Sequence, residues 1–188
     1  MSGLRPAPAE TVGTKYSLPE PCGLSKATIF ALAERVVDKL QLKLDYNIEE
    51  VIERLGGKVH LVTPYSSRKE VMDGSIRVHA LHEFDVYLAD NVGPRRRRFT
   101  AAHELGHYFL HYNPKPELPL VGLKANREGT GRVEWEAHWF ARALLMPEKE
   151  FIAQYNRVES NVGKLADVFG VSDQVCAIRI EDIKTKLG

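Results

Sequence analysis

Residues 97–112 read RRFTAAHELGHYFLHY and hold four groups that can bind a metal ion or move a proton: His103, Glu104, His107 and His111. On a helix, positions i and i+4 lie one above the other. His103 and His107 have that spacing, so two imidazoles one turn apart can grip one ion. Glu104 sits beside the pair without belonging to it, where its carboxylate can take a proton from water. This is the HExxH pattern. A catalytic zinc needs three protein ligands and one open position, so the pattern needs completing from elsewhere in the chain.

His111 is a poor third ligand. It lies about 12 Å along the helix axis from His103, at about 1.5 Å per residue, while zinc–nitrogen bonds are only about 2.0–2.1 Å long. The metzincin arrangement, with a third histidine six residues after the second and a glycine between, is absent. His111 is expected to pack at the helix end or to hydrogen-bond a carbonyl. The better candidate is in VEWEAHWFARALLM. There Val133, Ala137, Phe140, Ala141, Leu144 and Leu145 form an apolar stripe. Glu134 shares the side of Ala137, His138 and Ala141. A carboxylate facing inward among small apolar residues is costly without a cation. Glu136 is displaced by about 200° around the helix and is expected to face solvent. Ala137 and Ala141 would let this helix approach the HExxH helix closely.

The elements that must position these groups are legible in outline. Ser25 is a candidate N-cap for a helix in which Ile29, Leu32, Val36, Val37 and Leu40 share a face. A second helix, NIEEVIERLGG, is closed by Gly56 or Gly57. KVHLV (58–62), SIRVHAL and FDVYLA alternate as strands do. Pro94 suits the first position of the HExxH helix, which is expected to end at Tyr112 because Asn113-Pro114 does not continue it. Residues 113–131 read as a polar connection, the Glu134 helix stops before Pro147, and helices fill the remainder. This order predicts an α+β fold: a small three-stranded sheet, the HExxH helix, a second ligand-bearing helix and C-terminal helices. Residues 1–23 read as a flexible tail, 24–150 as the catalytic domain with its N-terminal helices, and 151–188 as a helical segment with helix-turn-helix-like spacing.

Composition narrows the function classes. The 26 basic and 25 acidic residues of this 188-residue chain leave a formal net charge of +1, so overall charge gives no pull toward nucleic acid or an anionic membrane. No run approaches the ~20 apolar residues of a membrane span. The N-terminus lacks the apolar core of a secretory signal. Two cysteines, Cys22 and Cys176, suggest neither a disulfide framework nor a cysteine-rich zinc module, and a cytoplasmic location is expected. The run Arg95–Arg98 opens a helix, where its side chains fan out; one or two are expected on nearby carboxylates. In KLADVFGVSDQVCAIRI the second helix offers Asp173, Gln174, Arg179, Glu181 and Asp182. That surface is net negative, and direct DNA binding is not expected of it. Trp135 and Trp139 flank the ligand motif and are expected to be half-buried.

The segments IEEVIERLGGKV, RRFTAAHELGHYFLH, EWEAHWFARALLMP and LADVFGVSDQVCAIRI together resemble the ImmA/IrrE-type zinc metallopeptidases, which are gluzincin-like, over most of residues 45–182. The resemblance implies a compact zincin holding one Zn2+ through His103, His107 and Glu134, with Glu104 as the base. It also implies a protein substrate, a helix-turn-helix transcriptional repressor, whose cleavage derepresses its genes. The family's second motif is Glu, two residues, Ala, then Asn or Asp. Here the last position is His138. Three roles are open for it: accepting the other N–H of a ligand histidine, which a neutral imidazole can do through one nitrogen only, serving as a fourth ligand, or donating to the oxyanion.

Two other classes fit the same residues. One is a non-catalytic regulator that keeps the metal for stability and binds a repressor or DNA. The other is a toxin–antitoxin partner, which differs only in gene context. For an endopeptidase, an extended substrate is expected to pair along an exposed strand edge such as FDVYLA.

Overall fold

The computed structural model of the chain describes residues 16–44, 46–63, 74–112, 122–126 and 131–184. Most of the expected N-terminal tail and most of the 113–131 connection lie outside the described residues. Strand β1 (Tyr16–Ser17) comes first, then α1 (Lys26–Leu40) and α2 (Ile48–Arg54). Strands β2 (Gly57–Val62), β3 (Gly74–Ala80) and β4 (Glu83–Ala89) follow, then α3 (Pro94–His111) and β5 (Gly122–Asn126). The chain continues with α4 (Arg132–Leu145), α5 (Glu148–Arg157), α6 (Val162–Phe169) and α7 (Asp173–Ile183). The class is α+β, as the order of patterns predicts.

Local chemistry sets the boundaries. Ser25 caps α1 by accepting from the Thr28 N–H, and Asn47 caps α2 through the Glu49 N–H. Pro94 opens α3, and the helix ends at His111 with Tyr112 as its cap, where the Asn-Pro step requires it. The three expected strands are β2, β3 and β4. Two short strands extend them into one sheet of order β1-β5-β3-β4-β2. β3 and β4 form an antiparallel hairpin, and β2 runs parallel to β4 from Gly57 beside Phe84 to Val62 beside Ala89.

The strand order corrects one expectation. FDVYLA lies in β4, which is paired on both sides, so its backbone groups are already used and it offers no edge to a substrate. The end of the supposed tail is also tied down: β1 pairs with β5, and the Cys22 N–H donates to the Glu136 carboxylate at 2.8 Å.

One face of the sheet carries Ile76, Val78, Phe84, Val86 and Leu88, all buried with Ala101, Ala102 and Leu105 of α3 in one core. Other strand positions carry a polar row. Asp85 accepts from His60 Nε2 at 2.6 Å and from His79 Nε2 at 2.7 Å, and His79 Nδ1 meets the Tyr16 hydroxyl at 2.8 Å. Burial alone would raise the Asp85 pKa; the two histidine hydrogen bonds outweigh it and hold the carboxyl below its ordinary value.

The C-terminal pair α6–α7 packs on the rest of the fold instead of presenting its second helix. Cys176, Arg179 and Ile183 of α7 are buried. Arg179 Nε donates to the Met146 carbonyl at 3.0 Å, and its guanidinium lies 4.6 Å from the Phe30 ring centre. Asp182 accepts from Arg142 Nε at 2.6 Å and pairs with Lys26. Arg179 and Asp182 therefore leave the exposed surface that the sequence assigns them, because they join α7 to α1 and α4. Among the four arginines that open α3, Arg95 pairs with Asp167, Arg97 lies 3.6 Å from Glu49, and Arg98 stacks over Tyr46.

Helices α3 and α4 meet at Gly106 and Ala137. A Cβ on Gly106 would stand 2.9 Å from both the Cα and the carbonyl oxygen of Ala137. Both are backbone atoms and cannot swing aside. On an exposed helix, Gly→Ala stabilises by about 1 kcal/mol. Here overpacking decides the sign, and we expect Gly106→Ala to lower stability by ~1–3 kcal/mol. Urea unfolding of the metal-free protein checks this; a stabilised variant would contradict the close approach. A second expectation concerns Asp85→Asn, which should cost ~1–3 kcal/mol at neutral pH because two partly buried imidazoles lose their anionic acceptor. A carboxyl with a depressed folded pKa stabilises above its unfolded value and loses that contribution as pH falls through the folded one. The gap between parent and variant should therefore hold down to about pH 4 and close below it. A pH-independent gap in denaturant titrations would contradict this.

Candidate metal centre

α3 and α4 converge on one buried cluster. His103, Glu104 and His107 are 0%, 2% and 2% exposed, and Glu134 is 8% exposed. His103 Nε2 and His107 Nε2 stand 3.1 Å apart. Glu134 Oε2 is 3.1 Å from His103 Nε2, and Glu134 Oε1 is 3.5 Å from His107 Nε2. Ligands about 2.0–2.1 Å from a tetrahedral ion are spaced by roughly 3.3 Å; each of these separations is close to that spacing, with Glu134 turning one oxygen to each imidazole. Glu134 Oε1 is buried and has no hydrogen-bond donor among the described residues. A buried carboxylate oxygen left without a donor, set beside two imidazole nitrogens, suits a cation at their centre. Burial, with the neighbouring His103 adding to it, holds the His107 pKa well below its ordinary value, which keeps the ring neutral as a ligand must be.

Glu104 sits next to this cluster and against the sheet. The first residue of β3 is Gly74, and a Cβ there would stand 2.3 Å from Thr100 Cγ2 and 2.9 Å from Glu104 Oε1. Glycine lets the strand lie directly on the acidic side chain.

His138 is in the same place. Its Nδ1 donates to the Glu134 carbonyl at 2.7 Å, so in the neutral ring Nε2 carries the lone pair. Its ring centre is 4.5 Å from that of His103, and His103, Glu134 and His138 offer ligand atoms within 4.8 Å of one another.

Three residues depart from expectation. Glu136 is fully buried, whereas its angle on the helix alone would turn it to solvent. The covering is tertiary: Cys22 N donates to Oε2 at 2.8 Å, and Arg132 Nε to Oε1 at 2.8 Å, while Arg132 Nη2 also reaches the Leu24 carbonyl at 2.6 Å. Burial would raise the Glu136 pKa, but the donors led by Arg132 outweigh it and lower it. His111 bonds to this carboxylate, with Nε2 3.1 Å from Oε2, in place of the carbonyl expected at a helix end. Its Nδ1 lies 2.9 Å from His107 Nδ1. Burial lowers the His111 pKa, with Glu136 opposing. His111 thus joins Glu136 to His107, and its i+4 spacing from His107 was the available signal. Trp135 is 61% exposed, not half-buried, beside the buried Glu134, while Trp139 is partly covered by Arg132, 4.7 Å from its ring centre.

No helix among the described residues is long and apolar enough to cross a membrane. The search of curated proteins returns no match. Among solved structures, the fold is similar to a Mycobacterium tuberculosis transcriptional regulator, with a TM-score of 0.57 and 18% sequence identity. The match covers 82% of this chain and 46% of that one, so this chain spans about half of its neighbour's length. The sequence profile of the peptidase M78 family, described as the IrrE N-terminal-like domain, matches residues 62–181, a span that contains the whole α3–α4 cluster. With HExxH on one helix of that cluster and Glu134 facing it from the next, the chain belongs to the peptidase M78 family.

Proposed function

We propose that the protein is a zinc-dependent endopeptidase that cleaves a helix-turn-helix transcriptional repressor and so derepresses its genes. The observation that carries the catalytic half is the convergence of His103, His107 and Glu134, whose imidazole Nε2 atoms stand 3.1 Å apart and meet one Glu134 oxygen each at 3.1 and 3.5 Å, beside a buried Glu104. The substrate half rests on the resemblance to ImmA/IrrE-type peptidases and on family membership; the similar fold of a transcriptional regulator accords with it.

In this reading His103, His107 and Glu134 hold the ion. When bound, zinc supplies Lewis-acid polarisation of the scissile carbonyl and lowers the pKa of water. Glu104 takes the proton from the attacking water and returns it to the leaving amine. Its low exposure keeps bulk solvent from competing for that proton. An extended substrate adds to the sheet at β5. Asn126 of that strand pairs with Ser75, next to the Gly74 that touches Glu104. β1 covers only Gly122 and Leu123, and no described strand pairs with the outer edge of residues 124–126.

One observation favours a second reading. His138 is close enough to His103 and Glu134 to act as a ligand. A fourth protein ligand would close the site and leave a metal-stabilised regulator that binds its repressor without cutting it.

Two experiments separate these. Glu104→Gln should retain zinc and fold while cleavage of the repressor encoded beside the gene falls by ~10²–10⁴-fold or more; a folded variant that still cuts would remove Glu104 from the mechanism. Glu134→Ala should lose high-affinity zinc, measured by chelator competition, whereas His138→Ala should keep the ion and weaken binding by roughly 10–100-fold. Equal loss in both variants, with an intact repressor after incubation with zinc-loaded parent, would favour the closed-site regulator.

A further inference from the structure

The cluster of Cys22, His111 and Glu136 lies behind the metal centre, and its ligand atoms fall within 4.8 Å of one another. A second ion is one reading of such a group. The carboxylate argues against it, because both Glu136 oxygens already have donors: Arg132 Nε on Oε1, and Cys22 N and His111 Nε2 on Oε2. A cation would have to displace a guanidinium contact of 2.8 Å and a backbone N–H of the same length. The Cys22 thiol, raised by burial and then by Glu136 although the Leu24 backbone hydrogen bond opposes it, is not a ready thiolate.

Hydrogen-bond direction gives the group a different role. An ionised carboxylate can only accept, so the proton between His111 and Glu136 belongs to His111 Nε2. In a neutral ring the other nitrogen, Nδ1, then carries a lone pair. That lone pair faces His107 Nδ1 at 2.9 Å, which must therefore be the donor. With its proton on Nδ1, His107 presents a bare Nε2 toward His103 and Glu134. Each step follows from the one before, and the series begins at Glu136, whose position is held from α4 by Arg132 and from the N-terminal segment by Cys22.

We propose that His111 and Glu136 are positioning residues: they fix the tautomer and orientation of His107 so that its Nε2 lone pair points at the metal centre. A ligand histidine commonly donates its second N–H to a carboxylate or carbonyl; here a histidine stands between the ligand and the carboxylate. This deepens the zinc reading and rests on it for its purpose, but the tautomer is a property of the metal-free chain and can be tested separately.

The test is ¹H–¹⁵N correlation of the histidine rings in metal-free protein, combined with zinc competition against a chelator. The parent should show His107 protonated at Nδ1. His111→Ala should lose that fixed tautomer and bind zinc roughly 10–100-fold more weakly. His111→Asn, whose side-chain oxygen can still accept from His107 Nδ1, should keep the tautomer and recover most of the affinity, which a purely packing role would not produce. Glu136→Gln provides a further variant that keeps shape and removes the charge, and should shift the His107 tautomer population toward Nε2–H. A parent with His107 protonated at Nε2, or a folded His111→Ala with unchanged tautomer and zinc affinity within twofold of the parent, would overturn the proposal. So would a second zinc ion per chain that Cys22→Ser abolishes, since the cluster would then be a ligand set. A parent with the expected tautomer that binds no zinc would support the hydrogen-bond series and refute the metallopeptidase reading.

Discussion

The close contact of Gly106 with the Ala137 backbone is the constraint on which the site depends. His103 and His107 lie on one helix and Glu134 on another, and their donors can reach 3.1–3.5 Å only if the helix axes nearly touch. A side chain at the crossing would push the carboxylate away from both imidazoles. Interiors are close-packed and resist small displacements, so the crossing acts as a fixed spacer for the cluster. Around it the same two helices carry an apolar lining: Ala101, Ala102 and Leu105 on α3, and Phe140, Ala141 and Leu144 on α4, all fully buried.

Polar groups are added to this frame in two layers. The inner one is the cluster of His103, His107 and Glu134 with Glu104. The outer one is the set of donors around Glu136: Arg132 of α4, the Cys22 N–H and His111 of α3. An ionised carboxylate in such a place would be costly alone; three donors offset the burial and leave it ionised. The negative charge then sits one imidazole away from a ligand histidine. The far side of the molecule follows the same pattern, with Arg179 and Asp182 buried only because Met146, Arg142 and Lys26 answer them.

Sequence spacing is informative here wherever one element decides the outcome. HExxH and the inward face of Glu134 could be read because helix periodicity maps residue number onto direction. The central strands could be read from alternation, and the cap at Ser25 from side-chain chemistry. Features made by two distant segments could not. The burial of Glu136 depends on Cys22, 114 residues earlier, so its angle on α4 was true and insufficient. β4 reads locally as a strand like any other; its interior place comes from the parallel partner β2, supplied across an intervening strand. The two-residue β1 is too short to carry a period. Gly106 reads in a helix only as a propensity cost, and its use appears when a second backbone arrives.

The Cys22 contact also bears on where the functional unit begins. The family profile spans residues 62–181, and a fragment cut to those limits would retain His103, Glu104, His107 and Glu134. It would lose the Cys22 N–H on Glu136 and the Leu24 carbonyl that steadies Arg132. It would also lose Ile29 and Ala33 of α1, both fully buried in the core, and the Phe30 ring under Arg179. The shared span and the cooperative unit are therefore different lengths of chain. Of the described residues, the smallest piece able to keep the α3–α4 cluster in its observed shape starts no later than Cys22 and runs through Ile183, because a strap without regular structure completes the wall behind His111 and Glu136.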